Sequence, residues 1–392
     1  MGIPTAMSVK ANWNYPTSIR FGAGRIAELP DALAGAGIAK PLLVTDPGIR
    51  NLPMLATLLQ NLEAAGRPAG VFSRVQANPV DQNVEAGVAA YRAGGHDGVI
   101  AFGGGSALDV GKVVAFMVGQ TRPMWDFEDI GDWWTRADPA GIAPVVAVPT
   151  TAGTGSEVGR AGVITDSASH TKKVIFHPKM MPVVTICDPE LTVGLPPRLT
   201  AGTGMDALAH CLEAYCAPGY HPMAEGIAVE GMRLVKENLA RVVADGADIE
   251  ARGHMMTAAA MGATAFQKGL GGMHALSHPV GALYNTHHGM TNAVFMPYVL
   301  AFNDKAIAGK MARLAMWLGL KTPGTAGVVD WVLRLREDVG VPNTIAGLGV
   351  DGERIDEIAA AAEVDPTAGG NPVPFDRAAA RRVFLAALDG KL

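Results

Sequence analysis

Up to about residue 190, apolar positions fall in short β-branched runs separated by stretches with helical spacing. KPLLVTD (40–46) reads as a buried strand, followed by a helix through about residue 65. VFSRV (71–75) reads as a second strand, and the spacing predicts a helix over Asp81–Ala93. DGVIAFGGG (97–105) is a strand running into a glycine turn, with a helix from Ser106. APVVAVPTT (143–151) and PVVTICDPE (182–190) complete the pattern. Strands separated by helices of roughly 10–15 residues indicate βαβ units and a parallel sheet. After LPPRLT (195–200) the strand signal fades into Ala-, Met- and Leu-rich segments with helical periodicity, broken by glycine turns at 268–272 and 288–290. We therefore expect an α/β domain over residues 1–193 and an all-α domain over 194–392.

Composition narrows the function classes. Hydrophobic residues make up 49% of the 392 and charged residues 18%, below the typical soluble value of about 25%. That balance suits a large buried core and argues against a disordered chain. The net charge of −5 leaves no basic footprint for nucleic acid or an anionic membrane. No apolar run approaches the roughly 18 residues of a membrane-spanning helix. The opening MGIPTAMSVKANWNYPT, with Met7 as a second candidate start, has no apolar core flanked by basic residues, so no secretory signal is expected. Cys187, Cys211 and Cys216 are odd in number and form no CxxC pair, which points to a reduced, cytoplasmic setting.

Two loops carry nucleotide chemistry. FGGGSALDVGK (102–112) places three glycines between a strand and a helix. Glycine lets backbone approach a ligand closely, and a helix N-terminus supplies free N–H groups and positive dipole character. A pyrophosphate suits that turn, with Ser106 as helix cap and phosphate contact. The alternative is a tight strand-to-helix turn with no ligand. The motif is not the GxGxxG fingerprint of the standard Rossmann fold. VPTTAGTGSE (148–157) is a second donor-rich loop, or simply a polar surface loop. Loops following neighbouring parallel strands converge on the sheet edge where α/β ligands bind. Asp46, ending its strand, is placed to accept from a ribose diol and to repel a 2′-phosphate, which favours NAD over NADP. Its other reading is the start of a turn into Pro47-Gly48.

A metal signal follows. Four of the ten histidines, His274, His278, His287 and His288, fall within GLGGMHALSHPVGALYNTHHG (269–289). Upstream, GTGMDALAHCLEAY (202–215) sets Asp206 and His210 four apart, on one face of a predicted helix. Asp206, His210 and two of the later histidines supply one oxygen and three nitrogens, a set that fits Fe²⁺ or Zn²⁺ better than Mg²⁺. A hydrogen-bonded helix surface and core histidines are the plainer readings of each piece alone.

Taken together, VTD (44–46), ANP (77–79), GGGSALDVGK (103–112), PTTAGTGSE (149–157), DPELT (188–192), DALAH (206–210), HALSHPVGALYNTHHG (274–289) and a late NP (371–372) resemble the iron-containing (group III) alcohol dehydrogenases, over essentially the whole chain. The resemblance implies a Rossmann-like N-terminal nucleotide-binding domain and a helical metal-binding domain, the architecture shared with dehydroquinate synthase. It implies metal ligands at Asp206, His210, His274 and His288, with His278 a non-ligand proton carrier and His287 a bystander. For NAD it points to Asp46, Asn78, Gly104, Gly105, Ser106, Thr150, Thr151, Thr154 and Lys173, with Lys172 an alternative to Lys173. The implied activity interconverts a primary alcohol and its aldehyde by hydride transfer, with the metal, Fe²⁺ or Zn²⁺, as Lewis acid on the substrate oxygen. Small alcohols or aldehydes would be the substrates and a homodimer or larger homo-oligomer the assembly.

Two departures stand out. AFQKGLG (265–271) is one residue shorter than in many relatives and brings Lys268 toward the metal loop, where it would read a substrate anion or reach solvent. WDFEDIGDWWTRADPAG (125–141) is longer and richer in tryptophan, with Trp133 and Trp134 as a lid or a structural cap. Competing readings are a hydroxy-acid or semialdehyde dehydrogenase of the same family, a dehydroquinate synthase-like lyase, and a non-catalytic nucleotide sensor. The Asp-plus-three-His set argues against the lyase, whose set is led by glutamate.

Overall fold

The computed structural model describes residues 15, 17–169 and 171–392, and residues 1–14 of the opening stretch, Met7 among them, lie outside these. The chain divides into two compact units, one taking in residues 16–196 with Gly246–Met256, the other Tyr15 and Pro197–Asp245 with Thr257–Leu392.

In the first unit the strands are β1 (Ser18–Phe21), β2 (Pro41–Val44), β3 (Gly70–Phe72), β4 (Gly98–Gly103), β5 (Val145–Pro149), β6 (Ala161–Asp166), β7 (Thr171–Phe176) and β8 (Val184–Cys187). Between them run α1 (Leu29–Gly35), the short α2 (Pro47–Arg50), α3 (Pro53–Ala64), α4 (Asp81–Gly94) and α5 (Gly105–Met117). Six strands form one sheet in the order β1-β8-β5-β4-β2-β3, and every pairing in it is parallel. Alternate residues of each strand enter different cores. Val44, Val99, Ala101, Val145 and Ala147 pack with Leu108, Val113 and Phe116. Leu43, Ile100, Phe102, Val146 and Val148 pack with Leu33, Leu55 and Leu62 on the other face. Both faces are buried, so the strands read as continuous apolar runs.

The strands read from sequence all form, each shorter than its apolar run, and β3 keeps only Val71 and Phe72 of VFSRV and starts at Gly70. Missed were β1, whose SIRF keeps an exposed pattern at the sheet edge, and the antiparallel hairpin β6–β7. The tryptophan-rich segment forms three short 3-10 turns, at Met124–Phe127, Trp133–Arg136 and Pro139–Gly141. Trp134 packs edge-on against Phe176 and His177, and the Arg136 guanidinium lies 4.1 Å above the Trp133 ring. This packing is that of a cap rather than of a free lid.

Beyond β8, no strand occurs among the described residues. The helices are α6 (Pro197–Cys216), α7 (Pro222–Ala244), α8 (Ile249–Ala265), α9 (Gly272–Tyr284), α10 (His288–Trp317), α11 (Gly324–Asp338), α12 (Ile355–Val364) and α13 (Arg377–Asp389). Helix α6 is buried along nearly all of its last seventeen residues, where small Ala and Gly side chains let neighbours close in around it. None of the described helices is long and apolar enough to cross a membrane. All three cysteines are buried free thiols, and burial pushes Cys211 and Cys216 up to about 12. Such thiols are inert at neutral pH.

Candidate active site: a histidine cluster and two nucleotide loops

In α6, Asp206 and His210 lie one turn apart on a buried face. His274 is the third residue of α9, and His288 the first of α10. One close approach sets their spacing. A Cβ on Gly289 would sit 2.1 Å from the Gly202 carbonyl and 3.0 Å from Asp206 Cβ, so only glycine lets α10 lie this near α6. His287, just before it, caps α10 by accepting from the Met290 N–H, which fits its reading as a bystander to the metal chemistry.

These placements bring the four expected ligands together. Donor atoms of Asp206, His210 and His274 lie within 4.8 Å of one another, and all three residues are buried. His288 Nε2 is 3.6 Å from Asp206 Oδ1. The His210 and His274 rings stack at 4.9 Å, and Phe266 meets His210 edge-on at 5.1 Å. The Asn292 amide nitrogen lies 2.9 Å from Asp206 Oδ1, 3.1 Å from His274 Nε2 and 3.1 Å from His288 Nε2. One amide nitrogen thus faces a carboxylate oxygen and two ring nitrogens.

The electrostatics favour a cation at this point. Burial would push His274 down, but Glu213, Asp206 and Asp365 together hold it above the ordinary imidazole range. The cluster is therefore rich in negative charge, and one carboxylate with three imidazoles is a donor set for a divalent transition metal. The residues present fit the ion.

His278 stands beside the cluster, its ring stacked on His288 at 5.5 Å. Its Nδ1 is 2.8 Å from Asp365 Oδ2, and Asp365 Oδ1 accepts from the Thr367 N–H and hydroxyl. Burial would raise Asp365, yet His278 and Thr367 hold it below the usual carboxylate range. Sequence reasoning passed over Glu213, Asn292 and Asp365. Glu213 continues the Asp206–His210 spacing by another three residues, a signal within the helix. Asp365, 87 residues from His278, offers no such signal.

In the α/β unit, Gly103 of β4 pairs with Pro149 of β5, so the loops after these strands emerge side by side. The Thr150 N–H donates to the Gly103 carbonyl, Thr151 lies against Gly104, and Thr154 lies against Gly105. Asp46 lies beside Gly103, at the end of the neighbouring β2, while its Oδ1 accepts from the Ile49 N–H to cap α2. The cap contact is the one expected of an aspartate that starts a turn, and Oδ2 lies on the glycine-loop side. Gly104, not Ser106, occupies the cap position of α5; the Ser106 hydroxyl instead donates to the Ala77 carbonyl at 2.6 Å, tying the Asn78 turn to the glycine loop. Lys173 on β7 is paired with Asp166 at 2.9 Å and lies over the Trp125 ring. That pairing holds Asp166 down to about 2. Lys112, in the same GGGSALDVGK motif, is buried and donates to the Ser156 and Ala161 carbonyls, so it fastens α5 to the threonine loop instead of meeting a ligand.

Lys268 belongs to a different cluster. Its ammonium reaches the Tyr215 and Ala217 carbonyls and Glu225, partners it shares with Lys310. Burial pushes it down to about 8. With its ammonium engaged in this way, Lys268 is expected not to read a substrate anion. Lys268→Met is expected to leave the ratio of kcat/KM for an aldehyde and its ω-carboxylated analogue unchanged; a tenfold change in that ratio, at about 1.4 kcal/mol, contradicts this assignment.

Residues 16–189 match the family model of the iron-containing alcohol dehydrogenases, and residues 200–388 match the C-terminal model of the same family. The chain belongs to this family. It is 38% identical to the 4-hydroxybutyrate dehydrogenase of Cupriavidus necator over 381 residues, covering 94% of this chain and 98% of that one. It is 36% identical to the NAD-dependent methanol dehydrogenase of Bacillus methanolicus, covering 92% and 95%. Among solved structures, a 1,3-propanediol oxidoreductase superposes with a TM-score of 0.91 at 34% identity, covering 96% of this chain and all of that one. A sulfoacetaldehyde reductase from Bifidobacterium kashiwanohense in complex with NAD⁺ gives 0.88 at 28% identity, covering 97% and 99%. As a member of the iron-containing alcohol dehydrogenases the chain is an oxidoreductase acting on small molecules, with an α/β nucleotide-binding fold followed by a helical one.

Proposed function

We propose that the protein is an NAD-dependent, metal-dependent alcohol dehydrogenase (EC 1.1.1.-) that interconverts a primary alcohol and its aldehyde. The observation that carries this reading is the meeting of Asp206, His274 and His288 donor atoms at one point beside His210. Asp206, His210, His274 and His288 would hold the ion, which supplies Lewis-acid polarisation of the substrate oxygen, while NAD supplies the hydride acceptor. The residues around them do the rest. The N–H groups opening α5, with Gly104, Gly105, Ser106, Thr150, Thr151 and Thr154, form the anion-binding surface for the pyrophosphate. Asp46 and Asn78 face the ribose region, where Asp46 disfavours a 2′-phosphate. Lys173 reaches that region only by exchanging its Asp166 partner, which makes Lys172 the alternative for this contact. We assign the nucleotide role to residues 1–193 and the metal role to 194–392.

His278 carries the hydroxyl proton. With Nδ1 held by Asp365, the nitrogen left to exchange a proton with the substrate is Nε2. His278→Ala is expected to lower kcat by about 10²–10⁴-fold, the usual share of general acid–base catalysis, with bound metal unchanged. Elemental analysis beside steady-state kinetics checks this; lost metal would make His278 a ligand. Asp365→Asn should lower kcat about tenfold through misorientation of the ring.

A hydroxy-acid or semialdehyde substrate is the second reading, favoured by the identity to a 4-hydroxybutyrate dehydrogenase. A cytoplasmic location is supported by the three buried free thiols. A homodimer or larger homo-oligomer is supported by edge strand β1, where Ile19 and Phe21 are exposed. Anaerobic purification with elemental analysis, followed by an NADH-absorbance screen over alcohols, aldehydes and ω-hydroxy acids, tests the function. Metal-dependent release of free NADH with an alcohol supports it and excludes the lyase. No turnover in Fe²⁺- or Zn²⁺-loaded protein would revive the nucleotide sensor.

A further inference from the structure

The first N–H groups of any helix lack partners four residues back. In α9 the N-cap is Gly271, which has no side chain to offer. Two side chains from elsewhere fill the gap. Asn371 Oδ1 accepts from the Gly272 N–H at 3.2 Å, and Glu213 Oε1 accepts from the Met273 N–H at 2.6 Å. The second oxygen of the same carboxylate, Oε2, is 2.6 Å from His274 Nδ1. Glu213 and His274 are both buried, so neither contact is shared with bulk water.

A carboxylate is an acceptor only, so the short contact to Nδ1 requires the proton to be on that nitrogen. In the neutral ring, the form that can ligate a metal, Nε2 then keeps its lone pair, and Nε2 is the atom that meets the Asn292 amide nitrogen beside Asp206 and His288. We propose that Glu213 is a positioning residue: it fixes His274 in the Nδ1–H tautomer, turns Nε2 toward the ion, and ties that orientation to the start of α9. This inference rests on the metal reading given above. Partners of this kind on ligand imidazoles are worth about 10–100-fold in metal affinity.

A helix cap alone would be served equally well by glutamine. Glutamine has one acceptor oxygen, while two donors, Met273 N–H and His274 Nδ1–H, need one. With its oxygen on Met273, its NH₂ faces Nδ1, moves the proton to Nε2 and blocks the ligating lone pair. With the amide turned over, NH₂ opposes the Met273 N–H inside the protein.

The test is Co²⁺ affinity of the full-length, metal-stripped protein, measured against a competing chelator, for wild type and Glu213→Gln. We expect binding weakened by about 10–100-fold in E213Q, with a changed Co²⁺ visible spectrum. Equal affinity and an unchanged spectrum would overturn the proposal while leaving the metal reading standing. Wild type that binds no Co²⁺ would overturn both. Should E213Q not fold, ¹⁵N NMR of histidine-labelled, metal-free wild type at pH 8 decides, with the His274 signals assigned by their loss in His274→Gln. A proton on Nδ1 supports the proposal and a proton on Nε2 overturns it.

Discussion

His274→Ala is expected to lose bound metal and turnover together. The imidazole is buried at the centre of the cluster, stacked on His210 and within hydrogen-bond reach of both Glu213 and the Asn292 amide. Its removal takes one of three nitrogens from the donor set and leaves Glu213 with a single partner at the start of α9. Lewis-acid stabilisation is worth several kcal/mol. At about 1.4 kcal/mol per tenfold, its loss lowers kcat by about a thousandfold or more. Elemental analysis beside an NADH-absorbance assay reads both quantities, and far-ultraviolet circular dichroism shows whether the helices persist. Full metal content with full activity in this variant would remove His274 from the ligand set.

The second large effect is expected at the nucleotide loops. A Cβ on Gly105 would lie 2.5 Å from Thr154 Cγ2 and 2.8 Å from Thr154 Oγ1. Thr154 is β-branched and stiff, so its side chain cannot swing aside as a long flexible one would. Gly105→Val must therefore spread the glycine turn from the threonine loop, moving the N–H groups at the start of α5 away from any bound pyrophosphate. Each charge-assisted hydrogen bond lost costs about 1.5–3 kcal/mol. KM for NAD should rise about tenfold to a hundredfold while metal content stays at the wild-type value. Gly35→Ala, where a Cβ meets nothing within 4 Å, is the matched control and should change neither. The two variants divide the chemistry, one losing metal with its nucleotide loops intact, the other the reverse.

The contrast between what the sequence disclosed and what it hid follows the range of the interactions. Strands buried on both faces, such as PLLV in β2 and VVAVP in β5, carry their environment in an unbroken apolar run. Asp206 and His210 share a helix face by spacing alone. The SIRF strand at the sheet edge is half-exposed, so its pattern resembles a loop. The β6–β7 hairpin alternates burial along β6, and its polar positions masked it. Partners brought together by tertiary packing stayed hidden for a different reason. Asp365 on His278 and Glu213 on His274 pair across 87 and 61 residues, and no local periodicity encodes such a distance. Ser106 shows the same limit in reverse. A serine after three glycines at a helix start has the composition of a cap, yet its hydroxyl goes to Ala77, because the turn before α4 lies within reach.

Four side chains from three helices are proposed to surround one ion. Crystals of anaerobically prepared, Fe²⁺-loaded protein, with anomalous diffraction recorded on either side of the iron edge, test it most directly. One strong anomalous peak per chain is expected, bonded to Asp206, His210, His274 and His288, with His278 outside the coordination sphere. A peak elsewhere, or these four side chains diverging with no metal among them in loaded protein, would contradict it.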